Sequence, residues 1–241
     1  MLKICPECGR GVSEFADACP NCGLPISMFE KALMLGNSHS PKMVDLGLPS
    51  GTIWASCNVG AKSAYDIGHY YAWGDSDIKE KYTWENYKYY LGSTNQGIQT
   101  YPRLKKYVSH TRLGIVDDKS YLEPNDDPAT KIMGNHWCTP SYEQQKELLE
   151  CCVIQKEKTK GVSGYRVIGP NGNSLFFINT GYIYDDKILE PESPVLWLNQ
   201  ANDFGYENAT CFLFIDGLRT TIATMSPDRC CGLPIRAVLR Y

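Results

Sequence analysis

Two closely spaced cysteine pairs begin the chain and carry its clearest chemistry. Cys5 and Cys8, then Cys19 and Cys22, stand in the repeated pattern C-P-x-C-G. Two residues between paired cysteines allow a tight turn to direct both sulfurs at one point, which is the geometry that tetrahedral zinc requires. The glycine after each pair suits the positive φ angle that such turns often need. The segment is too small for a hydrophobic core, so we expect one structural Zn²⁺ per chain to stabilise it.

Two disulfides or a redox-active C-x-x-C pair are the alternatives for these four cysteines. A redox pair is typically single and set in a strand-helix-strand unit, whereas this motif is duplicated within 18 residues, Cys5 to Cys22. The pattern resembles the zinc-ribbon family over residues 3–26, and all four ligand positions match. We therefore predict a zinc ribbon.

The charge of this segment bears on what it binds. Lys3 and Arg10 are outnumbered by Glu7, Glu14 and Asp17, and four thiolates around one zinc ion add further negative charge. Because zinc ribbons that bind nucleic acid need positive charge, this balance argues against nucleic acid as a partner. We expect docking within the chain or to another protein.

Seven more cysteines lie beyond the ribbon, at Cys57, Cys138, Cys151, Cys152, Cys211, Cys230 and Cys231. An odd number with two adjacent pairs is not typical of a disulfide framework, so we expect free thiols in a reducing cytoplasm. The start MLKICPEC lacks an apolar stretch, so we expect no signal peptide. No apolar run reaches 18 residues, and we expect no membrane span. The net charge of −3 argues against general polyanion binding.

Three further motifs were considered as sites. The triplet 123–125, Glu-Pro-Asn, resembles a calcium-binding triplet of C-type lectins, but the matching downstream triplet is missing, and a loop turned by Asx side chains is favoured. His136 with Cys138 and the Cys230-Cys231 pair suggest thiol chemistry, but neither supplies an oriented base, and buried inert thiols are favoured. No pair of carboxylates stands out for glycoside hydrolysis.

The five tryptophans can stack on sugars or fill a core; they are Trp54, Trp73, Trp84, Trp137 and Trp197. Four have apolar neighbours, so we predict core packing with the indole N–H satisfied for most of them. Trp84, in the polar stretch YTWENYKYY, is predicted to be the exposed one.

The chain divides into a ribbon at residues 1–27, a short helix and linker at 28–42, and a large domain at 43–241. Ser27 and Glu30 form the pattern of a capping box and predict a helix over 28–35. Gly36 ends that helix, and the polar stretch GNSHSP follows it as a linker.

In the first part of the large domain, alternation over 44–57 predicts a hairpin with a turn at Pro49-Ser50-Gly51. Ser63 is predicted to cap one helical turn over 64–67. The aromatic stretch GHYYAWGD is predicted to be extended. Residues 75–130 are mostly polar and predict long ordered loops.

The second part contains one clear helix, which a capping box of Ser141 and Gln144 begins. A hairpin is predicted around Gly169-Pro-Asn-Gly172. Further strands are predicted at 195–199, 209–215, 218–224 and 233–240, with a turn at Asp216-Gly217. These elements predict an α+β domain with few helices and an antiparallel sheet toward its carboxyl end.

The blocks VDLGLPSGTIWASCNVGA, GHYYAWGD, EPNDDPAT, HWCTPSYEQQKELL, NGNSLFFINTGY and GLPIRAVLRY occur in this order. Residues 43–241 therefore resemble the Fibrobacter succinogenes major paralogous domain family, abundant in gut Bacteroidetes. The resemblance implies a C-type lectin-like fold, shared with formylglycine-generating domains and diversified binding proteins. Members are typically exported and commonly end in Ser-Val-Arg-Pro, where this chain has residues 234–237, Pro-Ile-Arg-Ala.

The resemblance also implies a ligand-binding face built from the last strands and their loops. Carried over by position, that face comprises Trp197, Asn199, Asn202, Phe204, Tyr206, Asn208, Arg219, Thr221, Met225, Asp228 and Arg229. Aromatic, Asn and Arg side chains of this kind are typical of protein-contacting surfaces. We therefore expect a non-enzymatic binding module whose partner is a protein or small ligand. The alternatives are an enzyme of the formylglycine-generating type of fold, using a thiol or metal, and a regulatory adaptor that docks through the ribbon.

Overall fold

The computed structural model describes residues 2–5, 10–21, 23, 25–29, 41–202, 207–213 and 227–240. Most of this part of the chain is arranged in small antiparallel sheets joined by long loops, with few helices. This architecture agrees with the predicted α+β class.

The strands of the described residues are β1 (Leu2–Ile4), β2 (Gly11–Ser13), β3 (Met43–Asp45), β4 (Ile53–Ala55), β5 (Tyr90–Gln96), β6 (Gln99–Leu104), β7 (Trp137–Cys138), β8 (Val153–Thr159), β9 (Val162–Ile168), β10 (Ser174–Ile178), β11 (Tyr182–Tyr184), β12 (Lys187–Leu189), β13 (Val195–Ala201), β14 (Ala209–Leu213) and β15 (Val238–Leu239). The helices described in full are α1 (Pro128–Met133), α2 (Tyr142–Cys151) and a 3-10 helix, Ile26–Met28.

The capping box predicted for Ser27 and Glu30 lies partly outside the described residues, because Glu30 is not among them. Ser27 lies inside the 3-10 helix, whose N-cap is Pro25 and makes no side-chain capping bond. The predicted helix 28–35 is described only as far as Phe29, which is buried.

A four-stranded sheet in the order β3-β4-β15-β7 brings the two ends of the large domain together. The predicted hairpin over 44–57 is confirmed, because β3 and β4 pair antiparallel and Gly51 N–H donates to the Leu48 carbonyl at 2.9 Å. β15 pairs with both β4 and β7, so Val238 lies opposite Trp54 and Cys138. Within the predicted strand 233–240, only β15 is a regular strand.

The polar region 75–130 holds more regular structure than predicted. β5 and β6 form a hairpin within it, and Asp127 caps α1 by accepting from Ala129 N–H. Ser63 accepts from Tyr65 N–H at 3.3 Å, but the residues after it form a single turn and no helix. Asp66 N–H donates to the Ser63 carbonyl at 3.2 Å, so the predicted cap and its single turn are present, and the Asp66 carboxylate accepts from the N–H groups of Lys62 and Gly68.

Several elements that local sequence patterns predicted are present in the structure. The predicted capping box begins α2, with reciprocal bonds between Ser141 and Gln144, and Leu148 is fully buried on its inner face. The turn at 169–172 joins β9 to β10, and β8 adds a third strand to that sheet. The strands predicted at 195–199 and 209–215 correspond to β13 and β14, which pair antiparallel. The strand predicted at 218–224 and the turn at 216–217 lie outside the described residues.

Two hydrophobic clusters form the core of the large domain. One lies among α2, the β8–β10 sheet and one side of the four-stranded sheet, and it includes Trp54, Leu148, Phe177, Leu198 and Val238. The other gathers the aromatic loops against β13 and β14, with Trp73, Tyr107, Trp197, Cys211 and Leu233 among its members. The second cluster supports the long loops and so fixes the end of the domain at which the predicted ligand face lies.

Candidate functional site

The first cysteine pair lies in the loop of a hairpin. β1 and β2 pair antiparallel, and Cys5 N–H donates to the Arg10 carbonyl at 2.9 Å, which closes the loop that contains the pair. Cys5 is fully buried. Cys5 therefore lies directly after β1, at the start of the connection to β2, which suits the first ligand of a zinc-ribbon turn.

The second pair lies in a matching turn. A bridge between Ala18 and Pro25 closes it, supported by a 2.9 Å bond from Ile26 N–H to the Asp17 carbonyl. Inside it, Gly23 has a φ of 80° and donates from its N–H to the Cys19 carbonyl at 2.8 Å. The glycine after this pair therefore adopts the predicted left-handed conformation.

The two turns bring one cysteine from each pair into the same small cluster. Cys5 and Cys19 are both buried there with Val12 and Phe29. Cys8 and Cys22 lie outside the described residues, so only two of the four predicted ligands can be placed. Among the described residues no three His, Cys, Asp or Glu side chains converge as a metal site. Two cysteines buried in one small cluster fit half of a tetrahedral thiolate set.

Two members of the predicted ligand face are buried, and their assignment to that face is wrong. Trp197 is fully buried and donates its indole N–H to the Tyr71 carbonyl at 2.8 Å. Arg229 is also fully buried; its guanidinium lies over the Trp73 ring at 5.2 Å and donates to the Tyr107 carbonyl at 2.6 Å. Both side chains hold loops against the core, because a buried polar group must find a partner.

Four other members of the predicted face are partly exposed: Asn199, Asn202, Asn208 and Asp228. Asn202 N–H donates to the Asn208 carbonyl at 3.1 Å, and the Asn208 amide donates to the Asp228 carboxyl at 3.0 Å. The structure therefore brings the last three of these together. The remaining predicted members, Phe204, Tyr206, Arg219, Thr221 and Met225, lie outside the described residues.

Trp84 joins this group, although it was predicted only to be exposed. It is partly exposed, packs against Tyr87 at 5.6 Å and Tyr90 at 6.2 Å, and hydrogen-bonds to the Asp228 side chain. We call Trp84, Asn208 and Asp228 the end-face cluster. No sequence signal links Trp84 to Asp228, because 144 positions separate them and only the folded loops bring them together.

The Asp228 carboxyl lies in an unusual electrostatic setting. Burial raises its pKa above the ordinary value, and the nearby charge of Glu207 raises it further, whereas hydrogen bonds from Trp84 and Asn208 partly oppose the rise. Tyr121, which is 52% exposed, lies in a short bridge with Gln200 near the end of β13. The end-face cluster therefore combines a fixed carboxyl, an amide and accessible aromatic surface.

The acidic motif at 123–127 is used in internal contacts. Glu123 pairs with Lys106 and with Lys119, and Asp126 accepts from Lys88 at 2.9 Å and from Tyr107 at 2.8 Å. Burial acts to raise the pKa of Asp126, but the Lys106, Tyr89 and Lys88 donors outweigh it and hold the pKa well below its usual range. The predicted Asx-turned loop is confirmed, since Asp127 caps α1.

Three thiols of the large domain have raised pKa values, which disfavour nucleophilic chemistry. Burial, followed by the charge of Asp127, raises the pKa of Cys138 to about 11, and its sulfur contacts the Val238 carbonyl at 3.7 Å. Burial raises the pKa of Cys211. A hydrogen bond with the Cys231 side chain, together with burial, raises the pKa of Cys230. A nucleophilic thiol requires the opposite shift, because the thiolate is the reactive form.

None of the family models, curated proteins and solved structures compared with this chain matches it. Within the described residues, no helix is both long and apolar enough to cross a membrane.

Proposed function

We propose that this chain is a non-enzymatic binding module that recognises a protein or small ligand through the end of its large domain. The observation that carries the proposal is the end-face cluster. Trp84, Asn208 and Asp228 come from three separate stretches of the chain and meet at the ends of β13 and β14.

This arrangement suits recognition because its polar groups are already positioned. The Asn208 amide fixes the Asp228 carboxyl, and Trp84 rests on two tyrosines, so little side-chain freedom is lost when a ligand binds. Tyr and Trp side chains add large contact areas with a polar tip, which is why they are enriched at interfaces. The exposed Tyr121, bridged to Gln200 near the end of β13, is proposed to extend this surface.

The large domain is proposed to be a C-type lectin-like domain of the Fibrobacter succinogenes major paralogous family. The ordered sequence blocks support this assignment. The small antiparallel sheets, few helices and long ordered loops are compatible with it. In such a scaffold the loops at one end form the ligand face, where the end-face cluster lies.

The ribbon is proposed to hold one structural Zn²⁺ through Cys5, Cys8, Cys19 and Cys22. The shared burial of Cys5 and Cys19 in one small cluster supports this. Bound zinc supplies folding free energy to a segment whose own apolar cluster is small. The cysteines beyond the ribbon favour a reducing compartment, and we place the protein in the cytoplasm.

One observation favours the adaptor alternative, in which the ribbon itself docks. Phe15 is 88% exposed and Leu2 is 71% exposed on this small segment. Exposed apolar side chains on a polar surface often mark interaction sites. The thiol enzyme has no such support, because the pKa values of Cys138, Cys211 and Cys230 are raised.

Truncation distinguishes the two binding models. Residues 41–241 and the full chain, both immobilised, are used to capture partners from an extract of the source cells, and bound proteins are quantified by mass spectrometry. The end-face model predicts that the truncated chain, once shown to be folded by circular dichroism, retains the partner. Loss of the partner on truncation contradicts it and favours the ribbon adaptor.

A further inference from the structure

A long stretch of this acidic protein carries only positive charge. Residues 86–116 contain Lys88, Arg103, Lys105, Lys106 and Arg112 and no Asp or Glu, whereas the whole chain has a net charge of −3. The stretch comprises the β5–β6 hairpin and the loop that follows it. Its positive charge therefore lies on β6 and on the segments that flank the hairpin.

Ion pairing divides these five cations into two groups. Lys88 pairs with Asp126, and Lys106 pairs with Asp126 and Glu123. Arg103, Lys105 and Arg112 are exposed, and among the described residues none of them forms an ion pair with a carboxylate. Three cations are therefore available to an outside partner.

These three cations share one side of the hairpin. Alternate residues of a strand point to the same face, so Tyr101 and Arg103 on β6 and Lys105 directly after it lie together, while Pro102 and Leu104 are buried on the other face. Arg112 reaches the same place, with its guanidinium 5.5 Å from the centre of the Tyr101 ring. We call Tyr101, Arg103, Lys105 and Arg112 the basic face.

The backbone of β6 is poorly suited to strand addition. Leu104 N–H already donates to the Leu113 carbonyl, and Pro102, two residues away on the same edge, has no N–H to donate. A partner must therefore contact the side chains of the basic face. Such a partner needs carboxylates for the arginines and an apolar or aromatic group for Tyr101.

The ribbon of this chain displays that chemistry. Residues 13–17 read Ser-Glu-Phe-Ala-Asp, and they form a turn in which Ala16 N–H donates to the Ser13 carbonyl at 3.0 Å and Phe15 N–H to the Ser13 hydroxyl at 3.3 Å. Glu14 and Asp17 are exposed on either side of Phe15. We call residues 13–17 the acidic turn.

We propose that the acidic turn of one molecule docks on the basic face of a second copy. Phe15 is 88% exposed, so its own chain does not cover it, and the basic face offers cations and an aromatic ring of complementary chemistry. Carboxylates of Glu14 and Asp17 pair with Arg103 and Arg112, while the Phe15 ring lies against a guanidinium.

The contact joins two different surfaces, so each copy offers one of each and assembly proceeds head to tail. It uses neither the end-face cluster nor the proposed ligand, so its failure leaves the proposed function standing. Because opposite charges drive it, salt must weaken it: the Debye length falls from about 10 Å at 0.1 M to about 3 Å at 1 M ionic strength.

The test uses sedimentation velocity on the full-length protein over a wide concentration range. One variant reverses the basic face (Arg103→Glu with Arg112→Glu), and a second reverses the acidic turn (Glu14→Arg with Asp17→Arg). All these side chains are exposed, so both variants should keep the zinc content and the thermal unfolding midpoint of the wild type. A matched control, Lys62→Glu with Lys187→Glu, makes the same charge change at exposed positions outside the stretch.

Wild type and control should self-associate, and each reversed variant alone should associate at least about tenfold more weakly. An equimolar mixture of the two reversed variants should regain association, because each then meets a complementary surface on the other. Wild-type protein that stays monomeric at every concentration overturns the proposal. A mixture that associates no more strongly than either reversed variant alone also overturns it. A labelled single-stranded oligonucleotide that binds the wild type but not the basic-face variant, without self-association, assigns the basic face to nucleic acid instead.

Discussion

Replacement of Asp127 by alanine tests whether the acidic motif is a structural junction. The side chain is buried and accepts from Ala129 N–H at 2.9 Å, which caps α1. It also accepts from Thr139 N–H at 2.9 Å and from the Thr139 hydroxyl at 2.7 Å, and the Arg240 guanidinium lies 4.0 Å away. One carboxylate thus ties α1 to the segment before α2 and to the carboxyl-terminal strand.

The loss of stability expected for Asp127→Ala follows from these contacts. Loss of the helix cap costs about 1 kcal/mol. Each of the two Thr139 bonds contributes about 1 kcal/mol, and their buried donors are left without partners. Asp127→Ala should therefore lower the free energy of unfolding by about 3 to 4 kcal/mol, which is roughly 10 °C in the unfolding midpoint for a domain of this size. Asp127→Asn keeps one acceptor and the side-chain volume, so it should cost about half as much.

Urea and thermal unfolding followed by circular dichroism measure the effect. Asp186→Ala is the matched control, since its side chain is 56% exposed and its pair with Lys81 spans 3.3 Å. An exposed pair of this kind contributes less than about 1 kcal/mol. If Asp127→Ala proves no more destabilising than Asp186→Ala, the junction described for Asp127 is refuted.

Two further predictions concern the cysteines. Elemental analysis of the purified full chain should find one zinc per molecule. The double variant Cys5→Ser with Cys19→Ser should lose this zinc, whereas Cys152→Ser, outside the ribbon, should keep it. A wild type without zinc, or a double variant that keeps its zinc, contradicts the ribbon. Alkylation of Cys138 by iodoacetamide at pH 8, followed by peptide mass spectrometry, should be about 100-fold slower in the folded than in the unfolded chain, because a pKa raised from 9.0 to about 11 leaves that much less thiolate. The alkylation rate of Cys138 should rise about tenfold per pH unit until the pKa is approached. Equal alkylation rates in the folded and unfolded chain would refute the raised pKa of Cys138.

Local sequence signals predicted the elements that local interactions form. The capping box of Ser141 and Gln144 and the hairpins at 44–57 and 169–172 depend on residues close in sequence, and all three are present. The β5–β6 hairpin was missed because YLGSTNQ lacks an alternating pattern. The hairpin continues to its base, where Lys105 N–H donates to the Tyr89 carbonyl at 3.0 Å.

The site was only partly predictable for the same reason. The resemblance placed Asn208 and Asp228 on one face, and they do meet. It also placed Trp197 there, although the apolar run VLWL around it is the pattern of a strand buried on both faces. The burial of Arg229 and the approach of Trp84 to Asp228 arise from loop packing, for which the sequence carries no periodic signal.

Partner capture by an end-face variant tests the central claim most directly. The variant combines Trp84→Phe, Tyr121→Ala and Asp228→Asn, which alter the recognition groups while preserving ring packing and side-chain volume at Trp84 and Asp228. It is compared with wild type and with the Lys62→Glu, Lys187→Glu control, all at matched thermal stability, and captured partner is quantified by mass spectrometry. The account predicts at least about a tenfold loss of the partner from the end-face variant alone. Equal capture by all three proteins would contradict it.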